Sequence, residues 1–182
     1  MDAHVLVPLK RIDPKSRLAG ELPLDERVRL MRRLLRGVVE AVREAGVERV
    51  TVVTGLSLKG YEVWHDRGLP WNDALAAAID EVVRAPLVAI VSADLPALRA
   101  EEIEELLAAT PARGIAIARA LDGGTNAVAM RPPGIVRTRF GEPGSAAAHA
   151  GLGVDHVVVD LPGLAFDVDT PEDLARMQAA AC

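Results

Sequence analysis

Aromatic residues are nearly missing from this 182-residue chain: two Trp, one Tyr and two Phe make up 3% of it, while half of it is hydrophobic. Its core must therefore be built from Val, Leu, Ile and Ala. Cysteine is rarer still. The single Cys182 offers no disulfide and no zinc set, and it stands too close to the end for a C-terminal lipidation signal. No apolar run approaches the ~20 residues of a membrane span, and polar residues break the short apolar start before a signal peptide could form. A net charge of -5 and a pI near 5.4 argue against a broad nucleic-acid surface. A soluble, cytoplasmic protein without nucleic-acid or membrane partners is the expectation. Residues 1–182 are read as one domain, long enough to bury a real core. Lysine is scarce too: only Lys10, Lys15 and Lys59 occur, every other cation being Arg.

Two of those three lysines fall in one loop. The apolar run Val5–Leu9 reads as a buried strand and leads into Lys10, Arg11, Lys15, Ser16 and Arg17. A strand ending in a cationic loop is suited to phosphates, since backbone N–H groups and cationic side chains converge there. A solvated loop with chance charges is the plain alternative. Next comes a helix from about Asp25, its expected N-cap, to Glu44, with Leu30, Leu34, Leu35, Val38 and Val42 on one face and Gly46 as its stop. Its arginines share it with Glu26, Glu40 and Glu44 and read as its wet side. Val47–Thr54 and Tyr61–Trp64 read as strands. A helix capped by Asn72 or Asp73 follows, running to about Arg84. Leu87–Val91 is apolar throughout, as in a strand covered on both faces. A helix over 100–109 has Glu101, Glu102, Glu104 and Glu105 outside. Gly114–Arg119 and Asn126–Arg131 read as a hairpin at the sheet edge. A short Ala-rich helix ends at His149, a strand covers Val157–Leu161, and the last helix starts with Thr170 as N-cap and Pro171 at its first position. Alternating strands and helices predict an α/β fold with a mostly parallel, doubly wound sheet.

In such sheets ligands bind outside the carboxyl ends of the strands. Three places stand out there: the cationic loop, Asp94 after the most buried strand, and Asp167-Val168-Asp169. A carboxylate at a strand end is a good ligand for Mg²⁺. In an extended segment Asp167 and Asp169 point one way while Val168 faces the core. Helix capping and solvation are the alternatives for these acids. Gly141 to Ser145 and Gly123-Gly124-Thr125 are further candidate anion grips, or simply turns. His149 could assist an anion but more often such a residue is structural; His4, His65 and His156 show no pairing pattern.

With those residues in view, nearly the whole chain resembles the guanylyltransferases of coenzyme F420 biosynthesis, nucleotidyltransferases of glycosyltransferase-A-like (nucleotide-diphospho-sugar transferase) α/β fold. The resemblance rests on Val7-Pro8-Leu9-Lys10, Lys15-Ser16-Arg17-Leu18, Asn72-Asp73-Ala74-Leu75, Ala93-Asp94-Leu95-Pro96, Gly124-Thr125-Asn126-Ala127, Phe140-Gly141 with Gly144-Ser145 and His149, and Asp167-Val168-Asp169-Thr170-Pro171-Glu172-Asp173-Leu174. It implies transfer of GMP from GTP to the phosphate of a small phospho-acid, with release of pyrophosphate. Phosphoenolpyruvate is favoured as acceptor by analogy; 2-phospho-L-lactate and 3-phosphoglycerate are the alternatives. By the same resemblance Pro8, Lys10, Arg17, Asn72 and Asp94 would bind the nucleotide. Lys15, Thr125, Asn126, Gly141, Gly144 and Ser145 would hold the acid, Lys15 and Asp94 would be catalytic, and Asp94, Asp167 and Asp169 would bind Mg²⁺. The chain departs from the family pattern at Glu142, inserted in the Gly-rich turn, at Pro70-Trp71, where Gly-Leu is usual, and in a compressed stretch between Thr54 and Asn72. Rival readings are a sugar-phosphate or molybdenum-cofactor nucleotidyltransferase, against which the absence of a Gly-rich opening speaks, and a non-catalytic nucleotide-binding subunit. A homodimer is the assembly considered.

Overall fold

Every strand but one points its carboxyl end at the same edge of a seven-stranded sheet, and that edge carries the chemistry. The structure, a computed structural model, describes residues 2–10 and 15–180. The middle of the expected cationic loop, Arg11 to Pro14, and Cys182 lie outside the described residues. The strands are β1 (Ala3–Pro8), β2 (Arg49–Val53), β3 (Glu62–Trp64), β4 (Leu87–Val91), β5 (Gly114–Arg119), β6 (Thr125–Arg131) and β7 (Asp155–Val159). Their order across the sheet is β3-β2-β1-β4-β6-β5-β7. β6 alone runs antiparallel to its neighbours β4 and β5. That reversal brings its first residues, Thr125 and Asn126, to the edge where β1 and β4 end. Helices α1 (Leu24–Glu44), α2 (Trp71–Val82), α3 (Ala100–Ala109), α4 (Ser145–Ala150), α5 (Pro162–Ala165) and α6 (Pro171–Ala180) complete the fold. Among the described residues no helix is long and apolar enough to cross a membrane.

The scarcity of aromatics is met by strict alternation. Val5, Val7, Ala89 and Val91 face α1 and α3 in one apolar cluster, while Leu6, Val88 and Ile90 face α2 and α4 in the other. On β5 and β6 the split is by size. Ala116, Ala118, Ala127 and Ala129 lie on the α1/α3 side, Ile115, Ile117, Val128 and Met130 on the other. Small residues beneath α3 and α5 admit close packing there, which the larger side chains opposite balance by filling space under α2 and α4. A third, smaller cluster, Leu18, Leu30, Leu34, Val168 and Leu174, ties the cationic loop to α1, α6 and the Asp167–Asp169 segment.

Four expectations need correction. The hairpin of β5 and β6 is not at the edge: β7 pairs in parallel with β5 and covers it. Gly114 permits this approach, because a Cβ there would stand 2.1 Å from the Asp155 carbonyl oxygen. Pro23, not Asp25, caps α1, and Asp25 sits in the first turn, bonded to Arg29. Pro70 likewise caps α2, so Asn72 and Asp73 fall inside the helix. Finally, Glu102 is turned inward and buried. Its carboxylate accepts the N–H groups of Arg99 (3.1 Å) and Gly163 (2.6 Å), and so joins α3 to α5. A buried carboxylate is tolerable when its oxygens are satisfied in this way.

Candidate active site

A cleft of about 470 Å³ opens at the carboxyl edge of the sheet. Pro8, Lys10, Lys15, Arg17, Asp94, Thr125, Asn126, Gly141, Asp167 and Asp169 line it. The sequence singled out all of these. Trp71 and Phe140 also line it; the sequence marked Trp71 only as part of a departure from the family pattern and Phe140 only as part of the Phe140-Gly141 motif, and named neither as a binding residue.

The acidic side is organised by three carboxylates. Asp94 follows β4, and its backbone carbonyl accepts the Val168 N–H at 3.2 Å, stitching the two acidic loops together. Val168 is fully buried, so Asp167 and Asp169 on either side of it face the cleft. One oxygen from each of Asp94, Asp167 and Asp169 lies within 4.8 Å of the others. Asp173 caps the segment from behind, accepting from the N–H groups of Asp169 (3.1 Å) and Thr170 (2.8 Å), while Thr170 Oγ1 accepts the Asp173 N–H at 3.3 Å.

Lys15 enters this cluster. Its ammonium is 2.5 Å from Asp94 Oδ2 and 3.0 Å from Asp169 Oδ1, with the side chain only 8% exposed. The backbone of Lys15 is left-handed (φ 54°), an uncommon state for a residue with a side chain. Burial works against the ammonium charge, but Asp94 and Asp169 outweigh it and hold the Lys15 pKa above its usual range. Among the described residues Asp167 makes no ion pair of its own, and the nearby Lys15 charge only partly offsets its burial. Burial pushes its pKa up to about 6, against the Asn126 amide that donates to it at 3.1 Å and with the added repulsion of Asp94 and Asp169. Three hard oxygen ligands, one of them on a carboxylate still seeking positive charge, fit a divalent cation. None of the three carboxylates caps a helix among the described residues.

The residues beside this cluster, at the start of β6, are neutral. Thr125 and Asn126 open β6, and both are buried. Ser145 Oγ donates to Thr125 Oγ1 at 2.9 Å. His149 is fully buried behind them. Its Nε2 accepts the Arg139 N–H at 2.9 Å, so Nδ1 carries the proton and donates to the Ser145 carbonyl at 2.8 Å, with Thr125 Oγ1 3.1 Å away. Burial lowers the pKa of His149, which the Ser145 carbonyl opposes. His149 is thus a structural link behind the wall. Ser145 stands behind Thr125, and neither it nor Gly144 lines the cleft. Asn72 also lies back from it, bonded to the 138–140 stretch.

The chain is similar to known proteins over nearly its whole length. The family model described as guanylyl transferase CofC like matches residues 3–179. The phosphoenolpyruvate guanylyltransferase of Sphaerobacter thermophilus is 38% identical over 197 residues, covering 100% of this chain and 95% of that protein. The 2-phospho-L-lactate guanylyltransferase of Natronomonas pharaonis is 36% identical over 176 residues, covering 95% and 83%. The crystal structure of 2-C-methyl-D-erythritol 4-phosphate cytidylyltransferase from Thermus thermophilus shares the fold, with a TM-score of 0.64 at 18% identity over 100% of this chain and 99% of that one. The chain belongs to the CofC-like guanylyl transferase family, and by that membership is a nucleotidyltransferase.

Proposed function

We propose that this enzyme transfers GMP from GTP to the phosphate of phosphoenolpyruvate, as a guanylyltransferase of coenzyme F420 biosynthesis. The observation that carries the reading is the meeting, in one cleft, of the Asp94, Asp167 and Asp169 cluster with the neutral side chains and backbone of Thr125, Asn126 and Gly141. A phosphate oxygen of the acceptor attacks the α-phosphorus of GTP. A new P–O bond forms, the bond from the α-phosphorus to its bridging oxygen breaks, and pyrophosphate leaves with those electrons. The nucleophile is already ionised at neutral pH, so no general base is required. That matches the cleft, which no histidine lines among the described residues.

What remains is positioning and charge neutralisation. Asp94, Asp167 and Asp169 are the residues that would hold Mg²⁺, which supplies charge neutralisation at the phosphates when bound. Lys10 and Arg17 bind the nucleotide phosphates, and Pro8 and Trp71 border the nucleoside. Lys15 neutralises charge at the reacting phosphates. Thr125, Asn126 and Gly141 hold the acceptor, with Ser145 and Gly144 shaping that wall. The test is pyrophosphate release with Mg²⁺ and GTP against phosphoenolpyruvate, 2-phospho-L-lactate and 3-phosphoglycerate, with ATP and CTP as nucleotide controls. Release that requires GTP and phosphoenolpyruvate is expected. Release with another acid reassigns the acceptor, and no release with any acid overturns the reading.

A further inference from the structure

Asn72 projects from the first turn of α2, and its amide is spent on one short stretch of chain. Oδ1 accepts the Phe140 N–H at 3.0 Å and the Thr138 hydroxyl at 2.8 Å, and Nδ2 donates to the Phe140 carbonyl at 3.1 Å. Three of the four hydrogen-bonding positions of the amide are therefore filled by residues 138–140. The neighbouring Arg139 N–H is taken by His149 Nε2 at 2.9 Å, and the Phe140 ring meets the His149 ring edge-on at 5.5 Å. Two side chains from two helices, α2 and α4, thus pin three consecutive residues.

The next residue is Gly141, which lines the cleft. A trans peptide is planar, so the Phe140 carbonyl and the Gly141 N–H point in opposite directions from one rigid unit. By holding that carbonyl, Asn72 fixes the direction of the Gly141 N–H. Among the described residues no backbone carbonyl takes this N–H. Gly141 itself has φ +79°, where a side chain would be strained.

We propose that Asn72 is a positioning residue for the acceptor. It orients the Phe140–Gly141 peptide so that the Gly141 N–H is presented, pre-aligned, to the anionic group of the phospho-acid, while His149 secures the peptide before it. Asn72 acts through Gly141 and does not touch the nucleotide. The role in acceptor binding rests on the guanylyl-transfer reading above; the orientation of the peptide does not.

The experiment pairs steady-state kinetics with amide hydrogen exchange by NMR on the full chain. In Asn72→Ala the Phe140 amide loses its acceptor, and its exchange accelerates at least about tenfold, the scale of one buried hydrogen bond. The KM for the phospho-acid rises about tenfold while that for GTP stays within about threefold. Asn72→Asp is the sharper variant. It keeps the oxygen that accepts from Phe140 N–H and Thr138 but loses the donor to the Phe140 carbonyl. The Phe140 amide therefore stays protected while the acceptor KM still rises, a split that loss of fold would not produce. An unchanged Phe140 exchange rate in Asn72→Ala overturns the clamp. A rise in the GTP KM alone in either variant makes Asn72 a nucleotide contact and overturns the proposal. If the unaltered enzyme releases no pyrophosphate with any acid, the reaction reading fails and the acceptor role falls with it. The exchange measurement then still decides whether Asn72 orients the peptide.

Discussion

The two walls of the cleft are made of opposite materials. One is charged and held by ion pairs: three carboxylates, with Lys15 between two of them and Arg17 at 3.4 Å from Asp169. The other is neutral and held by directional hydrogen bonds among Thr125, Ser145, His149 and Arg139. Ion pairs have little angular preference, so a cation or a phosphate can replace one partner without rebuilding the wall. A buried hydrogen-bond lattice has one arrangement that satisfies it, and losing a member leaves its neighbour unpaired. The charged wall is suited to exchanging partners during a reaction, the neutral wall to keeping a shape.

The sharpest break of this contrast comes at Asp94. Asp94→Asn removes one of the three charges that would hold the cation and one of the two that hold Lys15. Pyrophosphate release should fall by about a thousandfold or more, on the scale of removing a preorganised electrostatic group. The melting temperature should change far less than the turnover, because Asp169 still pairs with Lys15 and the backbone bond from Val168 to the Asp94 carbonyl is kept. Retained turnover would remove Asp94 from the chemistry.

Lys15→Met comes next in size, with two readouts of opposite sign. Turnover should fall by about a hundredfold, because a positive charge near the reacting phosphates is lost. Binding of Mn²⁺ alone, followed by electron paramagnetic resonance, should tighten. The Lys15 ammonium and a divalent cation compete for Asp94 and Asp169, so removing the tethered competitor favours the free one. Weaker Mn²⁺ binding would mean that Lys15 shapes the metal site instead of competing for it.

How much of this contrast was legible in the sequence follows from the range of the interactions. The charged wall was legible residue by residue. Asp94 lies just past the end of β4, the period-two rule placed Asp167 and Asp169 on one side of Val168, and the class of fold pointed to the carboxyl edge of the sheet, although the short helix α5 stands between β7 and Asp167. The neutral wall was not. Its contacts join positions far apart, such as Asn72 with Phe140 or Thr125 with Ser145, and no local period marks them. For the same reason Asn72 read as a cap: Asn before an apolar helical run is the usual cap signal, but Pro70, with its fixed φ, takes that place. The β5–β6 hairpin was found from its turn, while its position inside the sheet depends on β7, whose exposed residues give little sign of a partner strand. Glu102 read as solvated beside Glu101, Glu104 and Glu105, because one of the two N–H groups that satisfy its buried carboxylate comes from Gly163, far along the chain.

Acid titration separates the two walls by sign. His149 behind the neutral wall, and His4, which is buried at the start of β1, have pKa values lowered below 6.5 by burial. A group with a depressed folded pKa gives its full contribution above the unfolded value, so stability should be lost as pH falls from 6.5 through the folded values. Asp167 on the charged wall runs the other way. Its pKa is raised from 3.8 to about 6, so in the metal-free protein it adds stability as pH falls from about 6 towards 3.8. The melting temperature in chelator should therefore fall below pH 6.5, and Asp167→Asn, which abolishes the opposing contribution, should make that fall steeper. A slope unaffected by Asp167→Asn would place no titrating group at that position.

The smallest expected effect tests whether the neutral wall only keeps a shape. Ser145→Ala deletes the hydroxyl that donates to Thr125 Oγ1 at 2.9 Å and leaves the His149 bond to the Ser145 carbonyl in place. The loss should be about 1 kcal/mol of stability, the net worth of one such bond. Its effect on catalysis depends on which way the hydroxyl is used. If Ser145 serves only to orient Thr125, the KM for the phospho-acid should rise no more than about threefold, since the threonine keeps its place in β6 and can still reach the His149 side of the lattice. If Ser145 turns to donate directly to the bound acid, the same substitution removes a hydrogen bond to a charged group, and KM should rise by about tenfold or more. Comparing Ser145→Ala with Ser145→Thr separates these outcomes. A threonine restores the hydroxyl, but its extra methyl must fit a site where Ser145 is 1% exposed. Recovery of KM with a lowered melting temperature would show the hydroxyl acting on the substrate, and the neutral wall would then exchange a partner just as the charged one does.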